Sequence, residues 1–275
     1  MPLVLESEVV ERASRNGEAP FSLSEDRDNP FLTIIIPVFN EARTIDELLR
    51  RVVAAPYRKQ IIVVDDGSTD GTTAILERWE GRGNVELLAH SKNRGKGAAI
   101  RTALEQARGR FTIIQDADLE YDPADYPRLI APLASGQAQV VYGSRYLRPD
   151  HKRSSHWSLF RCGVAVLNGC ARLLYGARLT DEATCYKVFP TDTLRSMGLE
   201  CQRFEFCPEV TAKACRLGWR IVEVPISYHA RTVQQGKKLR WRDGWAAIET
   251  LWRWRKWRPA KLLAERPTAR GQDEE

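Results

Sequence analysis

A doubly wound α/β fold, with a mostly parallel sheet covered by helices on both faces, is what the 275-residue sequence predicts, on three observations. Apolar runs of strand length alternate with amphipathic runs of helix length, two of the apolar runs stop at paired carboxylates, and glycine-bearing turns follow. Continuous apolar runs suit parallel strands buried on both faces, and strand–helix alternation supplies the crossovers between them. Open sheets of this kind bind ligands beyond the carboxyl ends of their strands.

Residues 1–30 form a polar acidic extension ahead of the first strand. Phe31 to Val38 is a central strand broken by Pro37 and followed by Phe39-Asn40-Glu41. Thr44 caps a helix whose apolar face is Ile45, Leu48, Leu49 and Val52. Ile61 to Val64 repeats the strand and ends in Asp65 and Asp66, and Gly67 to Thr72 turns into a helix running to about Trp79. Val85 to Ala89 is a third strand. It leads into Asn93-Arg94-Gly95-Lys96-Gly97, where backbone amides at a helix start, with Arg94 or Lys96, suit phosphate.

The fourth run, Ile113-Ile114-Gln115-Asp116-Ala117-Asp118-Leu119-Glu120, delivers three acids to one edge. Like charges so close raise one another's pKa, and a divalent cation among oxygen ligands relieves them, which points to Mg²⁺ or Mn²⁺ holding a nucleotide diphosphate. The alternative is a solvated acidic turn ending at Asp122-Pro123.

The ordered segments Pro37-Val38-Phe39-Asn40-Glu41, Val64 to Thr72, Asn93 to Gly97 and Asp116-Ala117-Asp118 resemble the motifs of the inverting family 2 glycosyltransferases, with later motifs carrying the likeness to about residue 245. The resemblance implies a GT-A type, Rossmann-like fold and a branch similar to dolichyl-phosphate mannose synthase, which passes a sugar from a nucleotide donor to a polyprenyl phosphate. It implies that Pro37, Phe39, Glu41 and Asp66, with Asp65 beside it, hold the nucleotide, joined by Lys96 as the phosphate cation of the helix start, that Asp116 and Asp118 hold metal and donor diphosphate, and that Glu120 stands where relatives place a third ligand. The expected partners are a UDP- or GDP-sugar and a lipid phosphate.

In the second half, Val140 to Tyr146 resembles the branch's Gly-Ser-Arg segment. Arg145 there either forks onto a substrate phosphate or forms a structural salt bridge. Arg148 to Trp157 reads as a polar loop, and Trp157 to Tyr175 as a buried helix. Thr180 to Phe189 places Asp181 and Glu182 before a short strand. Asp181 is a base if the acceptor is an alcohol; with a phosphate acceptor it positions Lys187 or Arg145. Phe204 to Leu217 gives a helix in which Glu205 and Glu209 are structural, and Gly218 to Ile226 a strand, followed by His229 in a packing role. The basic loop after it matches the family segment that covers donor phosphates, making Arg231, Lys237 and Lys238 phosphate candidates.

The expected organisation is an extension at 1–30, a catalytic domain at 31–241, a basic Trp-rich amphipathic helix at 242–259 and a disordered tail at 260–275. In that helix Trp245, Ile248, Leu251 and Trp252 share helical spacing, and Arg253 to Arg258 suit either a membrane interface or packing on the domain. Nine basic against two acidic residues in 231–260 call for an anionic partner, whereas 1–30 holds seven acids against three bases. No apolar run reaches 18 residues and the N-terminus does not read as a signal peptide, so the expected location is cytoplasmic, peripheral on the membrane's inner face. Six cysteines without CxxC spacing read as reduced, mostly buried thiols. The rival readings are transfer to a soluble alcohol and, more distantly, a nucleic-acid-binding protein. The latter lacks a recognised motif, and nucleic acid is not an expected partner.

Overall fold

The computed structural model describes residues 30–148, 158–231 and 241–259. The N-terminal extension, the loop at 149–157, Lys237 and Lys238 with the rest of 232–240, and the tail at 260–275 lie outside the described residues.

Among the described residues seven strands form one sheet in the order β3-β2-β1-β4-β6-β5-β7. They are β1 (Leu32–Val38), β2 (Lys59–Asp65), β3 (Val85–Ala89), β4 (Phe111–Ile114), β5 (Val140–Ser144), β6 (Lys187–Pro190) and β7 (Ile221–Pro225). The helices between them are α1 (Ile45–Ala54), α2 (Thr72–Glu77), α3 (Lys96–Gln106), α4 (Tyr126–Ala134), α5 (Ser158–Tyr175), α6 (Thr191–Ser196), α7 (Phe206–Arg216) and α8 (Trp241–Trp254).

The apolar strands are buried on both faces, as their continuous runs require. Ile34 and Ile36 of β1, with Ile61 and Val63 of β2, join the core that includes Ile45, Leu48, Leu49 and Val52 of α1. Ile35, Ile62 and Val64 point the other way, into the core with Ala99, Ile100 and Ala103 of α3. Full burial of each such side chain is worth about 1.5–3 kcal/mol. The register Ile36 to Val63 and Val38 to Asp65 then carries the ends of β1 and β2 to one edge.

Four features differ from the sequence reading. β6 runs antiparallel to both β4 and β5, because its chain enters at the site edge and travels away from it, and the short helix α6 follows directly. Helix α5 is not wholly buried: Val164, Leu167 and Ala171 face inward, but Cys162, Val166, Gly169 and Leu173 form an exposed stripe, Leu173 at 85% exposure. Thr44 stands at the N-cap of α1 without a side-chain capping bond; its hydroxyl goes instead to the Glu41 carboxylate at 2.9 Å. Burial of the thiols is limited to Cys201 and Cys207, with Cys162 exposed and the other three half-buried; all six are free.

Candidate functional site

The acid-terminated strands β2 and β4 meet the end of β1, which leads to Glu41, at one edge. Asp65 folds the turn after β2, accepting from the Ser68 amide at 3.0 Å and the Thr73 hydroxyl at 2.6 Å. Gly67 in that turn has φ +75°, and a Cβ there would stand 2.7 Å from the Lys92 carbonyl carbon, so the two loops touch backbone to backbone. Asp66 completes the junction by accepting from the amides of Arg94 at 2.9 Å and Gly95 at 2.7 Å, while His90 Nδ1 lies 2.6 Å from its Oδ1. Asp65 and Asp66 are therefore buried organisers of the edge. Pro37 and Phe39 are half-buried beside them, and Asn40 adopts a left-handed backbone at φ 52° that turns the chain toward Glu41.

Beyond β4, Leu119 takes φ 61°, a conformation that bulky residues rarely adopt, and the Glu120 amide returns to Asp118 Oδ1 at 3.1 Å. Burial, then the Asp116 and Glu120 charges, push the Asp118 carboxyl up to about 7. Asp116 is paired with the Lys96 ammonium, which also donates to Cys185 Sγ at 3.0 Å. Burial opposes the Lys96 charge, yet Asp116 and the neighbouring thiols hold its pKa well above the usual lysine value.

Glu120 has a different setting from the two aspartates. One carboxylate oxygen accepts from the Tyr228 hydroxyl at 2.5 Å and the other from the Arg231 amide at 2.7 Å. The Arg231 guanidinium reaches Glu41 with both terminal nitrogens, at 3.2 and 2.8 Å. Glu120 thus clasps the segment after β7 across the edge, with Arg231 closing the clasp on Glu41.

Arg145, at the end of β5, is 3% exposed and forks onto Asp181, which is fully buried: Nε to Oδ2 and Nη2 to Oδ1 are both 2.7 Å, and the Arg145 amide adds a third bond at 2.9 Å. Burial works against the guanidinium, but Asp181 keeps its pKa well above the ordinary arginine value. Its guanidinium carbon lies 5.0 Å from the Tyr228 ring centre. Asp181, Arg145, Tyr228, Glu120, Arg231 and Glu41 are consequently linked in one continuous series from β6 to β1.

Of the two roles open to Asp181, the geometry matches the positioning of Arg145. Lys187 is held elsewhere, donating to the Glu182 carbonyl at 2.7 Å and standing 3.5 Å from the Tyr142 ring centre. Sequence reasoning missed His90, Tyr228 and Glu223, whose carboxylate takes the amides of Thr180 at 2.7 Å and Asp181 at 2.9 Å. Each stands far along the chain from its partner, and no local pattern marks it.

Asp116 and Asp118 offer hard oxygen donors in a place crowded with negative charge, which fits Mg²⁺ or Mn²⁺. Among the described residues no three His, Cys, Asp or Glu side chains gather as a metal cage. Two carboxylates with diphosphate and water oxygens make up such a set, and Glu120, tied to Tyr228 and Arg231, is better suited to holding the clasp.

The family model described as Glycosyl transferase family 2 matches residues 33–193. A dodecaprenyl-phosphate galacturonate synthase of Rhizobium johnstonii is 30% identical over 210 residues, 73% of this chain and 59% of its own length. An undecaprenyl-phosphate mannosyltransferase of Micrococcus luteus is 32% identical over 213 residues, 74% of this chain and 85% of its own. An undecaprenyl-phosphate 4-deoxy-4-formamido-L-arabinose transferase of Pseudomonas syringae pv. syringae reaches 43% over 185 residues, 65% of this chain and 52% of its own. The chain thus spans less than two thirds of the Rhizobium and Pseudomonas relatives. Glucosyl-3-phosphoglycerate synthase from Mycobacterium tuberculosis, solved with Mn²⁺, uridine diphosphate and phosphoglyceric acid, shares the fold with a TM-score of 0.63 at 18% identity, over 91% of this chain and 83% of its own.

Proposed function

Since the chain belongs to glycosyl transferase family 2, we propose that it transfers a sugar from a UDP- or GDP-sugar to a polyprenyl phosphate, with inversion at the anomeric carbon. The observation that carries this reading is the edge beyond β4, where Asp118 is crowded by two further acids beside the cation Lys96. Such a place suits a metal-bound diphosphate.

In this mechanism an acceptor phosphate oxygen bonds to the anomeric carbon as the bond from that carbon to the donor diphosphate breaks, and its electron pair leaves with the nucleotide. Asp116 and Asp118 would hold the Mg²⁺ or Mn²⁺, which when bound would supply charge to offset that growing on the diphosphate. Pro37, Phe39 and Glu41 line the nucleoside side, while Asp65 and Asp66 keep the two loops beneath it in place. Arg231, Lys237 and Lys238 supply positive charge to the phosphates from the segment after β7.

A phosphate nucleophile is already an anion and needs no base. The burial of Asp181 against Arg145 supports this acceptor class over an alcohol, because its carboxylate is occupied by three bonds from Arg145. The Rhizobium and Micrococcus relatives are named for polyprenyl-phosphate products and acceptors. Among the described residues no helix is long and apolar enough to cross a membrane. The exposed stripe of α5 and the Trp245 and Trp252 rings of α8 therefore suggest peripheral contact on the cytoplasmic face, where the acceptor's lipid would lie.

The test is transfer of labelled sugar from UDP- and GDP-sugars to a short polyprenyl phosphate, preceded by thermal shifts with UDP, GDP, CDP and dTDP. One nucleotide should stabilise the protein with Mn²⁺, by roughly 2.7 kcal/mol at 100 times its Kd, and Asp118→Asn should abolish that shift. A protein that none of the four stabilises, with or without metal, would sink the reading.

A further inference from the structure

Lys96 is the first residue of α3, and its direction is fixed by its neighbours. The Gly95 amide is bound by Asp66 at 2.7 Å, and Gly95 itself has φ +97°, with the space for a Cβ closed by the Gln202 carbonyl at 2.5 Å. From that anchored start the Lys96 ammonium reaches across to Asp116 Oδ1 and Cys185 Sγ. It lies on one of the two carboxylates offered to the metal.

A carboxylate oxygen cannot hold an ammonium in hydrogen-bond contact and a divalent ion at bonding distance without the two cations repelling at a few ångströms, where Coulomb terms are large. Lys96 is on Oδ1 alone, so a metal taken by the other oxygen still stands a few ångströms from the ammonium, and metal entry is opposed unless Lys96 swings away. In the absence of nucleotide the displaced ammonium has a neutral thiol, Cys185, for company, so displacement is costly. A bound diphosphate supplies anionic oxygens that both the metal and Lys96 can face.

We infer that Lys96 is a built-in counter-ion for Asp116, which keeps the metal site weak until a nucleoside diphosphate arrives and so makes metal and nucleotide bind as a unit. The inference rests on the donor-site reading above and adds to it an order of assembly. Coupling between two ligands is reciprocal, so each raises the other's affinity by the same factor.

The experiment titrates Mn²⁺ by the loss of its free-ion paramagnetic resonance signal, using the full chain alone and with the nucleoside diphosphate chosen by thermal shift. Wild-type protein should bind Mn²⁺ about 5- to 150-fold more tightly with nucleotide than without. Lys96→Gln should bind Mn²⁺ alone more tightly than wild type by a factor in that same range, with most of the coupling gone. Lys96→Arg, which keeps the charge, should retain weak metal binding and the coupling. Adding Asp116→Asn to Lys96→Gln should erase the gain, placing the metal on that carboxylate. Circular dichroism and Tm identify any variant that fails to fold, and Lys96→Ala replaces Lys96→Gln in that case. If the neutral variant binds Mn²⁺ no more tightly than wild type, the counter-ion idea is overturned, even if metal-dependent nucleotide binding stands. If the neutral variant gains Mn²⁺ affinity but wild-type protein binds no nucleotide, the counter-ion stands and the donor reading falls.

Discussion

Asp118 carries a pH dependence whose sign can be worked out. The folded, metal-free protein keeps the Asp118 proton up to about pH 7, whereas the unfolded chain releases it near the ordinary 3.8. The folded state therefore binds the extra proton between those values, and stability falls as pH rises through them, the loss being complete above about 7. Asp118→Asn should accordingly raise the Tm of the metal-free protein at pH 8 and change it little at pH 4; an equal shift at both would contradict the crowding. Arg145 and Asp181 make the opposite kind of pair, already compensated. Asp181→Asn should lose about 3–5 kcal/mol in urea unfolding by leaving a buried guanidinium unpaired, whereas Arg145→Met with Asp181→Leu should come close to wild type. Loss of transfer in Asp181→Asn would then reflect a displaced Arg145, and a thermal-unfolding measurement beside the assay separates this from a missing base. At this scale the acids were legible because they interrupt apolar runs. Their partners were not: Asp116 is met by Lys96, and Glu120 by Tyr228 and Arg231, more than a hundred residues on.

Helices and strands were legible where period and burial agree. The four apolar positions of α1 are all fully buried, and the runs of β1 and β2 emerged as central strands. The direction of β6 was hidden because a four-residue strand with two apolar side chains at its centre reads alike either way, although its acids, Asp181 and Glu182, precede it, whereas those of β2 and β4 come at the strand's end or just after. Helix α5 was misjudged because both of its faces are apolar, and composition cannot say that only one finds protein. Its exposed positions, Cys162, Val166, Gly169 and Leu173, fall at successive spacings of four, three and four residues, one line along the helix. Tyr175 ties it to α8 through the Leu251 carbonyl, and there Trp245 and Trp252 stand 69% and 56% exposed while Leu251 is buried. Val166→Asp with Leu173→Asp should abolish co-sedimentation with phosphatidylglycerol vesicles and leave the Mn²⁺-dependent thermal shift by nucleotide intact. Unchanged sedimentation would show that α5 does not meet lipid.

Across the whole molecule, the sheet consists of two parallel blocks, β3-β2-β1-β4 and β5-β7, joined by the reversed strand β6. The first block carries the nucleotide and metal candidates, and the second carries Arg145 and leads to Arg231. Between the blocks β6 is paired through Thr112 with Phe189 and Ile113 with Val188 on one side, and Val141 with Val188 and Tyr142 with Lys187 on the other. A short reversed strand is a natural boundary between cooperative units. In native-state hydrogen exchange, the amides of β1 and β2 should open together at one free energy and those of β5 and β7 at a lower one; a single opening energy for all four strands would exclude the division. Such a seam would let the block of β5 and β7 loosen, admit a new partner or be exchanged for another sequence while the block of β1 and β2 keeps its shape. Under the proposed function, variation in what receives the sugar would thereby be separable from variation in what supplies it.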